Sequence, residues 1–276
     1  MGGGQPPHER GVPGGRPPGL ALRAFQCWMT VYRRIWRSSI WSSLLGPLFY
    51  LGAMGLGLGT LVNRHGTASL GGVSYLAFVA PAILASGAMN TAMGEASYPV
   101  FGSIKWNKLY IAAQASPLRP GDIFRGHLLF MTMRIAMNAA LVTVYMWAFG
   151  ATRSAWVVLA WPAATLTGLA FAAPIAAWAM TIRTENSFAY LFRFGMMPLM
   201  LFSGTFFPLS QLPGWLRALA YATPLWHGVD LCRMLSLGLR AHVDLPRALI
   251  HIAYLAALSA LGIWAGARTY RRRLYV

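Results

Sequence analysis

The side chains of this chain that could do chemistry are few and scattered. Its 276 residues hold six carboxylates (Glu9, Glu95, Asp122, Glu185, Asp230 and Asp244), six histidines and two cysteines, Cys27 and Cys232. No two of the acids are spaced for general acid–base work or for sharing a metal, and the two cysteines suggest neither a disulfide framework nor a metal knuckle. The sequence G-x-x-x-x-G-K-[ST], which cradles nucleotide phosphates, does not occur, so the chain is not expected to power itself with ATP. No catalytic residue, metal ligand or cofactor is expected in it. The charges that stand out are instead Glu95 and Arg134, because each falls at the edge of, or inside, a long apolar run.

The elements that hold those two charges are membrane spans. Charged residues make up 11% of the chain against roughly 25% in ordinary soluble domains, while apolar types reach 57%. A soluble domain of this size has too few charges here to cover its surface, and 11 Trp, 11 Tyr and 14 Phe exclude disorder along the whole chain. The net charge of +17 could suggest a nucleic-acid partner, but the basic residues lie between apolar runs and not on one face, so none is expected.

A helix needs about 20 apolar residues to cross a hydrocarbon core about 30 Å thick. Charge-free runs of that order occur at 38–63, 65–94, 154–182, 194–216 and 248–267, and a further one near 127–149 is interrupted only by Arg134. The expected fold is all-α and integral to the membrane, with six spans at about 39–62, 73–95, 127–149, 155–182, 188–208 and 248–267. Glycines 52, 55, 57 and 59 give the first span a smooth face, and Pro47, Pro81, Pro162, Pro174 and Pro198 are tolerated as kinks. Between spans five and six, residues 209–246 hold no charge-free stretch longer than twelve residues after Arg217, which predicts a re-entrant or outer helical segment.

Basic residues are enriched in cytoplasmic loops. With both termini inside, sixteen of the 23 basic residues lie on the cytoplasmic side and six outside, with Arg134 in the membrane. The charge excess therefore reads as orientation in a multi-pass inner (plasma) membrane protein. Residues 1–19 are rich in Gly and Pro and lack the apolar centre of a signal peptide, which predicts a disordered cytoplasmic tail ahead of a single domain over 20–276. In 20–37, Arg23, Gln26, Thr30, Arg33, Arg34 and Arg37 form one helical face and Phe25, Trp28, Met29, Tyr32, Ile35 and Trp36 the other, which predicts an amphipathic helix lying in the interface. The longest cytoplasmic loop, 98–126, contains a helix-compatible stretch stopped by Pro117 and Pro120, and Asp122 is placed to cap the following helix. Glu95 at the inner end of span two and Arg134 about two turns into span three are expected at matching depths, as an intramembrane polar pair.

The string FSGTFFPLSQLPGWLRALAYATPLWHGVDLCR at 202–233 resembles the late-span signature of type 2 ABC transporter permeases. It is most similar to the nodulation-factor (lipo-chitooligosaccharide) export permeases, the NodJ family, and to their daunorubicin-resistance relatives. The likeness extends back through GEASYPVFGSIKWNKLYIAAQASPLRPGDIFRG and covers roughly 20–270. Where those proteins often carry Gly-Glu at the start of span three, this chain has Gly126-His127, so no acidic role carries over to that position.

The resemblance implies a six-span half-transporter energised by a separate cytoplasmic ABC ATPase present in two copies, which would bind the ATP and Mg. A second permease copy, in a homodimer, and membrane lipids are the other expected partners. Lys105, Trp106 and Tyr110 would meet the ATPase. An amphiphile with a lipid or polycyclic part and a polar head, such as a lipooligosaccharide, a lipid-linked glycan or a hydrophobic drug, suits a pathway with few charges. The expected lining is Asn90 and Thr91 on span two with Met196, Met197, Met200, Phe202 and Phe206 on span five, since Met re-packs around varied ligands and aromatics offer flat contacts.

Two other classes stay open at this point. An intramembrane lipid-linked transferase would draw on Asp230, Asp244 and His65, and a secondary transporter would need more ionisable groups than Glu95 offers.

Overall fold

The computed structural model describes residues 19–64, 70, 72–238 and 244–274, and among them the regular secondary structure is entirely helical. All but the last residue of the Gly/Pro tail lies outside the described residues. The first helix, α1 (Leu20–Gly52), runs unbroken from the basic segment into the first apolar run, passing through Pro47. The expected separate interfacial helix over 20–37 is therefore one body with the span that follows. The physical reason is local: neither Gly nor Pro occurs between Arg37 and Gly46, so nothing interrupts the hydrogen-bond ladder. The aromatic face of the segment packs on another helix, with Ala24 and Tyr32 buried. A wide π-helical turn over Ala53–Leu58 leads to α2 (Gly59–Arg64). Gly59 closes that turn, since a Cβ there would come 2.7 Å from the Met54 carbonyl oxygen.

The second run forms α3 (Tyr75–Ala96), started by Ser74, whose Oγ accepts from the Ala77 N–H at 3.3 Å. Two short helices follow, α4 (Tyr98–Lys105) and α5 (Leu109–Gln114). Next, α6 (Pro120–Ala148) begins seven residues before the expected span, with Pro120 in its first turn and the Asp122 carboxylate accepting from the Arg119 N–H at 3.2 Å. The centre of the bundle is α7 (Val157–Ala179).

The run expected as span five is helical over α8 (Asn186–Tyr190), a π-helical turn Leu191–Met196 and α9 (Met197–Phe202). Those 17 residues reach about 25 Å, short of the hydrocarbon thickness. The helix ends because Gly204 takes a left-handed φ of +76°, and irregular backbone follows to Pro208. The remaining elements are α10 (Gly214–Tyr221), α11 (Pro224–Leu237) and α12 (Leu245–Leu274).

Among the described residues, five helical stretches are long and apolar enough to cross a membrane: Leu45–Arg64, Tyr75–Lys105, Pro120–Ala148, Val157–Ala179 and Leu245–Leu274. At the centre, α7 packs against α3, α6, α11 and α12, while the first stretch joins the bundle through α3. Small residues permit that closeness: Gly168 lies against Ile135 and the Ala88 carbonyl, Gly228 against Thr167, and Gly262 against Pro174. Within 209–246, α11 does not lie across the outside of the bundle but is inserted among α3, α7 and α12.

Candidate functional site

The helices α3 and α6 are joined by two polar rungs one helical turn apart. Arg134 and Asn138 on α6 are four residues apart, as are Glu95 and Thr91 on α3, so each pair shares a face. Arg134 Nε donates to Glu95 Oε1 at 3.0 Å, with the two side chains only 15% and 20% exposed. Asn138 Nδ2 donates to Thr91 Oγ1 at 2.6 Å, and Thr91 in turn donates to the Gly87 carbonyl at 3.0 Å. From the far side, Arg134 Nη1 donates to Tyr32 Oη at 3.0 Å while its guanidinium lies 4.8 Å from the centre of that ring. The lower rung thus links α1, α3 and α6 through one guanidinium.

The upper rung opens onto a cleft of about 490 Å³ between α1, α3, α6 and α9. Ser86, Asn90, Thr91 and Asn138 supply its polar edge, while Pro47, Tyr50, Ile83 and Met200 supply its apolar wall. Asn138 Oδ1 is buried without a hydrogen-bond partner among the described residues. Of the residues expected to line a pathway, the cleft brings together Asn90, Thr91 and Met200. Phe206 stands beside it, its ring 6.3 Å from that of Tyr50. Met196 packs on the core, Phe202 is half-buried outside the cleft lining, and Met197 points outward at 60% exposure. Sequence reasoning missed Tyr50 and Asn138; the signal for Asn138 was an amide one turn from Arg134 in an apolar run.

Around the short helices, Lys105 and Trp106 are exposed, with Trp106 packed edge-on to Phe101 at 5.7 Å and seated over Gly102, where a Cβ would meet its ring. Lys108 makes the turn between α4 and α5 with a left-handed φ of 49°. Tyr110, expected on the same outer face, points inward instead and is 1% exposed. The reason is helical phase: α5 starts after the Lys108 turn, so Tyr110 faces α6 and α12. Its hydroxyl bonds His127 Nδ1 and lies 3.0 Å from Tyr270 Oη. Burial, and then the adjacent Tyr270 phenol, hold the Tyr110 hydroxyl well above its ordinary pKa of 10.0, so it stays neutral. Trp28 of α1 stacks on His127 at 3.8 Å, and Gln114 Nε2 donates to the Leu274 carbonyl. One turn of helix is thereby clamped to α1, α6 and α12.

Residues 23–237 match the ABC-2 type transporter family. The chain belongs to that family. It is 33% identical over 254 residues to Nodulation protein J of Rhizobium leguminosarum bv. trifolii, covering 90% of this chain and 94% of that protein. Nodulation protein J of Bradyrhizobium diazoefficiens is 30% identical over 254 residues (90% and 94%), and that of Rhizobium meliloti (strain 1021) is 29% identical over 255 residues (90% and 94%). The protein is therefore the membrane permease component of an ABC transporter and crosses the membrane several times.

In this ABC-2 permease His227, Asp230, Arg247 and His251 join α11 to α12. His227 Nδ1 and His251 Nδ1 are 2.7 Å apart, His251 Nε2 is 2.9 Å from Asp230 Oδ2, and Arg247 Nη2 lies 2.8 Å from the same oxygen. The chain of groups ends at His227 in a stack on Tyr254 at 4.0 Å, not at a nucleophile. Arg233 donates to the carbonyls of Phe78 (3.2 Å) and Gly204 (2.9 Å) and covers the Phe78 ring at 3.9 Å. Sequence reasoning placed Arg233 only within the re-entrant or outer segment 209–246 and missed the His227–His251–Asp230 contact, because the partners come from different helices. Among the described residues no group of three His, Cys, Asp or Glu side chains is arranged to hold a metal.

Proposed function

We propose that this permease exports an amphiphile with a saccharide head and an acyl tail, a lipooligosaccharide, and is driven by two copies of a separate cytoplasmic ATP-binding subunit. The cleft between α1, α3, α6 and α9 carries this reading. It offers amide and hydroxyl groups from Ser86, Asn90, Thr91 and Asn138 beside an apolar wall, and the orphan Asn138 Oδ1 suits a sugar hydroxyl or amide donor. The resemblance to Nodulation protein J supports a glycolipid over a drug. In this reading both termini are cytoplasmic, the run 186–202 completes a sixth crossing with help from the irregular backbone after it, and two copies of the permease form the pathway.

The ATPase docks on the exposed Lys105–Trp106–Lys108 ridge. Motion of that ridge passes to α1, α6 and α12 through the Tyr110–His127–Tyr270 clamp, and from α6 to the cleft through the Arg134 and Asn138 rungs. The test is ATP-dependent uptake of a labelled lipooligosaccharide into inverted vesicles bearing the permease and its ATPase. Asn138→Leu should abolish uptake while the complex still assembles, and Trp106→Ala with Lys105→Glu should lose the ATPase on purification. Undiminished uptake by Asn138→Leu would overturn the cleft as the pathway, and full ATPase retention would move the docking site.

A further inference from the structure

A second recess, of about 420 Å³, lies where α6 begins and α12 ends, lined by Arg119, Arg125 and Arg271 with Gly121, Asp122 and Ala267. Three guanidiniums border one concave space, and none of them is in an ion pair among the described residues. The lone carboxylate there, Asp122, accepts from the backbone N–H of Arg119. The space beside Gly121 is open, since a Cβ there would meet nothing within 4 Å. The chain cannot neutralise this charge readily, since it has six acids in all, of which Glu95 and Asp230 are already paired with Arg134 and Arg247.

The level of the recess relative to the bilayer can be read from α12. Leu261 and Trp264 are each 63% exposed, and the Arg268 guanidinium sits 5.6 Å from the Trp264 ring. An exposed Trp capped by Arg marks the boundary between hydrocarbon and headgroups, with apolar surface on one side and basic surface on the other. Ala267 and Arg271 lie within two turns of that mark, so the recess stands at headgroup height beside an apolar flank that faces acyl chains.

We propose that this recess binds the phosphate headgroup of an anionic phospholipid, with Arg119, Arg125 and Arg271 holding the phosphate oxygens. Bidentate guanidinium–phosphate geometry favours the headgroup over zwitterionic lipids, whose ammonium would meet the same three cations. The site ties the first turn of α6 to the last turns of α12, next to the helices that clamp α5. It does not depend on which amphiphile is exported.

The test uses the full-length permease in detergent, observed by native mass spectrometry and thermal melting. The probes are dioleoyl-phosphatidylglycerol, phosphatidylcholine of the same chains, and sodium phosphate. Wild type should retain phosphatidylglycerol over phosphatidylcholine and melt higher with it. Arg125→Gln/Arg271→Gln should weaken that retention about tenfold, while Arg125→Lys/Arg271→Lys keeps most of it. Arg33→Gln/Arg34→Gln removes the same charge from the exposed face of α1 and should leave retention unchanged. Equal loss in that control, equal melting of wild type in the two lipids, or unaltered retention by the Gln variant would overturn the proposal. Displacement of the lipid by millimolar phosphate would assign the recess to a free anion instead. Loss of the ATPase with unchanged lipid retention would assign it to an acidic protein surface.

Discussion

The hydroxyls of Tyr110 and Tyr270, 160 residues apart in the chain, lie 3.0 Å from each other in a fully buried contact. The bond fastens the one-turn helix α5 to the end of α12, and Tyr110 reaches His127 of α6 through the same oxygen. Removing the two hydroxyls should not be equivalent. Tyr270→Phe deletes one bond and leaves Tyr110 with His127, a loss of about 1 kcal/mol. Tyr110→Phe strands both Tyr270 Oη and His127 Nδ1, a loss nearer about 1–3 kcal/mol. Melting of the purified permease should therefore rank wild type above Tyr270→Phe, with Tyr110→Phe lowest. Neither variant should lose the ATPase, since Tyr110 is covered. Equal melting of the two variants would mean that Tyr110 is not the hub of the clamp.

Gly228 of α11 faces Thr167 of α7, and a Cβ there would overlap Thr167 Oγ1 and Cγ2. Thr167 is fully buried and its hydroxyl is already donated to the Ala163 carbonyl at 2.9 Å, so it cannot move aside. Gly228→Ala should cost about 1–3 kcal/mol through overpacking, seen as a lower melting temperature in detergent. Thr167→Ala should recover part of that loss and no more, because the Thr167 Cβ itself would remain 2.9 Å away. A double mutant no better than the sum of its singles would show that α11 is not held against α7 at this point.

What could be read from the sequence is what depends on local spacing. Rise per residue put Glu95 and Arg134 level, and their bond spans a gap that counting alone can bridge. Tyr32 as the third partner was hidden, because the segment carrying it was read as a helix apart from the first span, whereas an unbroken ladder carries it onto α6. Tyr110 reads as part of a docking face because it falls in the central part of the longest cytoplasmic loop. Its inward turn comes from the left-handed Lys108 and from partners 17 and 160 residues away, which no local pattern encodes. The apolar run 194–216 looked like one crossing by composition, yet composition does not separate helix from the bends that follow Ser203. The sharper cue was Gly204 within SGTFFP.

The proposed sidedness rests on the basic asymmetry of the sequence and is open to direct measurement. In a background where the exposed Cys27 is replaced by Ser, single cysteines at Ser210 and Val276 would be treated with a membrane-impermeant maleimide in intact cells. Ser210 should label and Val276 should not until the cells are opened, because sixteen basic residues lie on the side assigned to the termini against six on the other. Labelling of Val276 with protection of Ser210 would invert the arrangement and move the ATPase to the opposite end of the bundle.

The Glu95–Arg134 pair decides whether the lower rung is structural or moves during transport. Removing one member of a buried ion pair typically costs about 3–5 kcal/mol, and the 15–20% exposure of these side chains will lessen that. The two losses differ in kind. Arg134→Gln leaves a carboxylate that can take up a proton and become neutral. Glu95→Gln leaves a guanidinium that cannot shed its charge, with only neutral acceptors, the Gln amide oxygen and the Tyr32 hydroxyl, so it should be the more damaging single change. The charge swap Glu95→Arg with Arg134→Glu should recover part of the loss, since the new carboxylate would meet both the new guanidinium and the Tyr32 O–H. Folded yield and ATP-coupled export, measured on the same preparations, separate the two roles. A structural rung lowers the amount of folded permease in the singles and leaves export per folded molecule unchanged. A moving rung keeps the yield and lets ATP hydrolysis run without export. If the swap is as damaging as the two single losses added together, the side chains do not meet in the membrane, and the link from α1 through Arg134 to α3 must be abandoned.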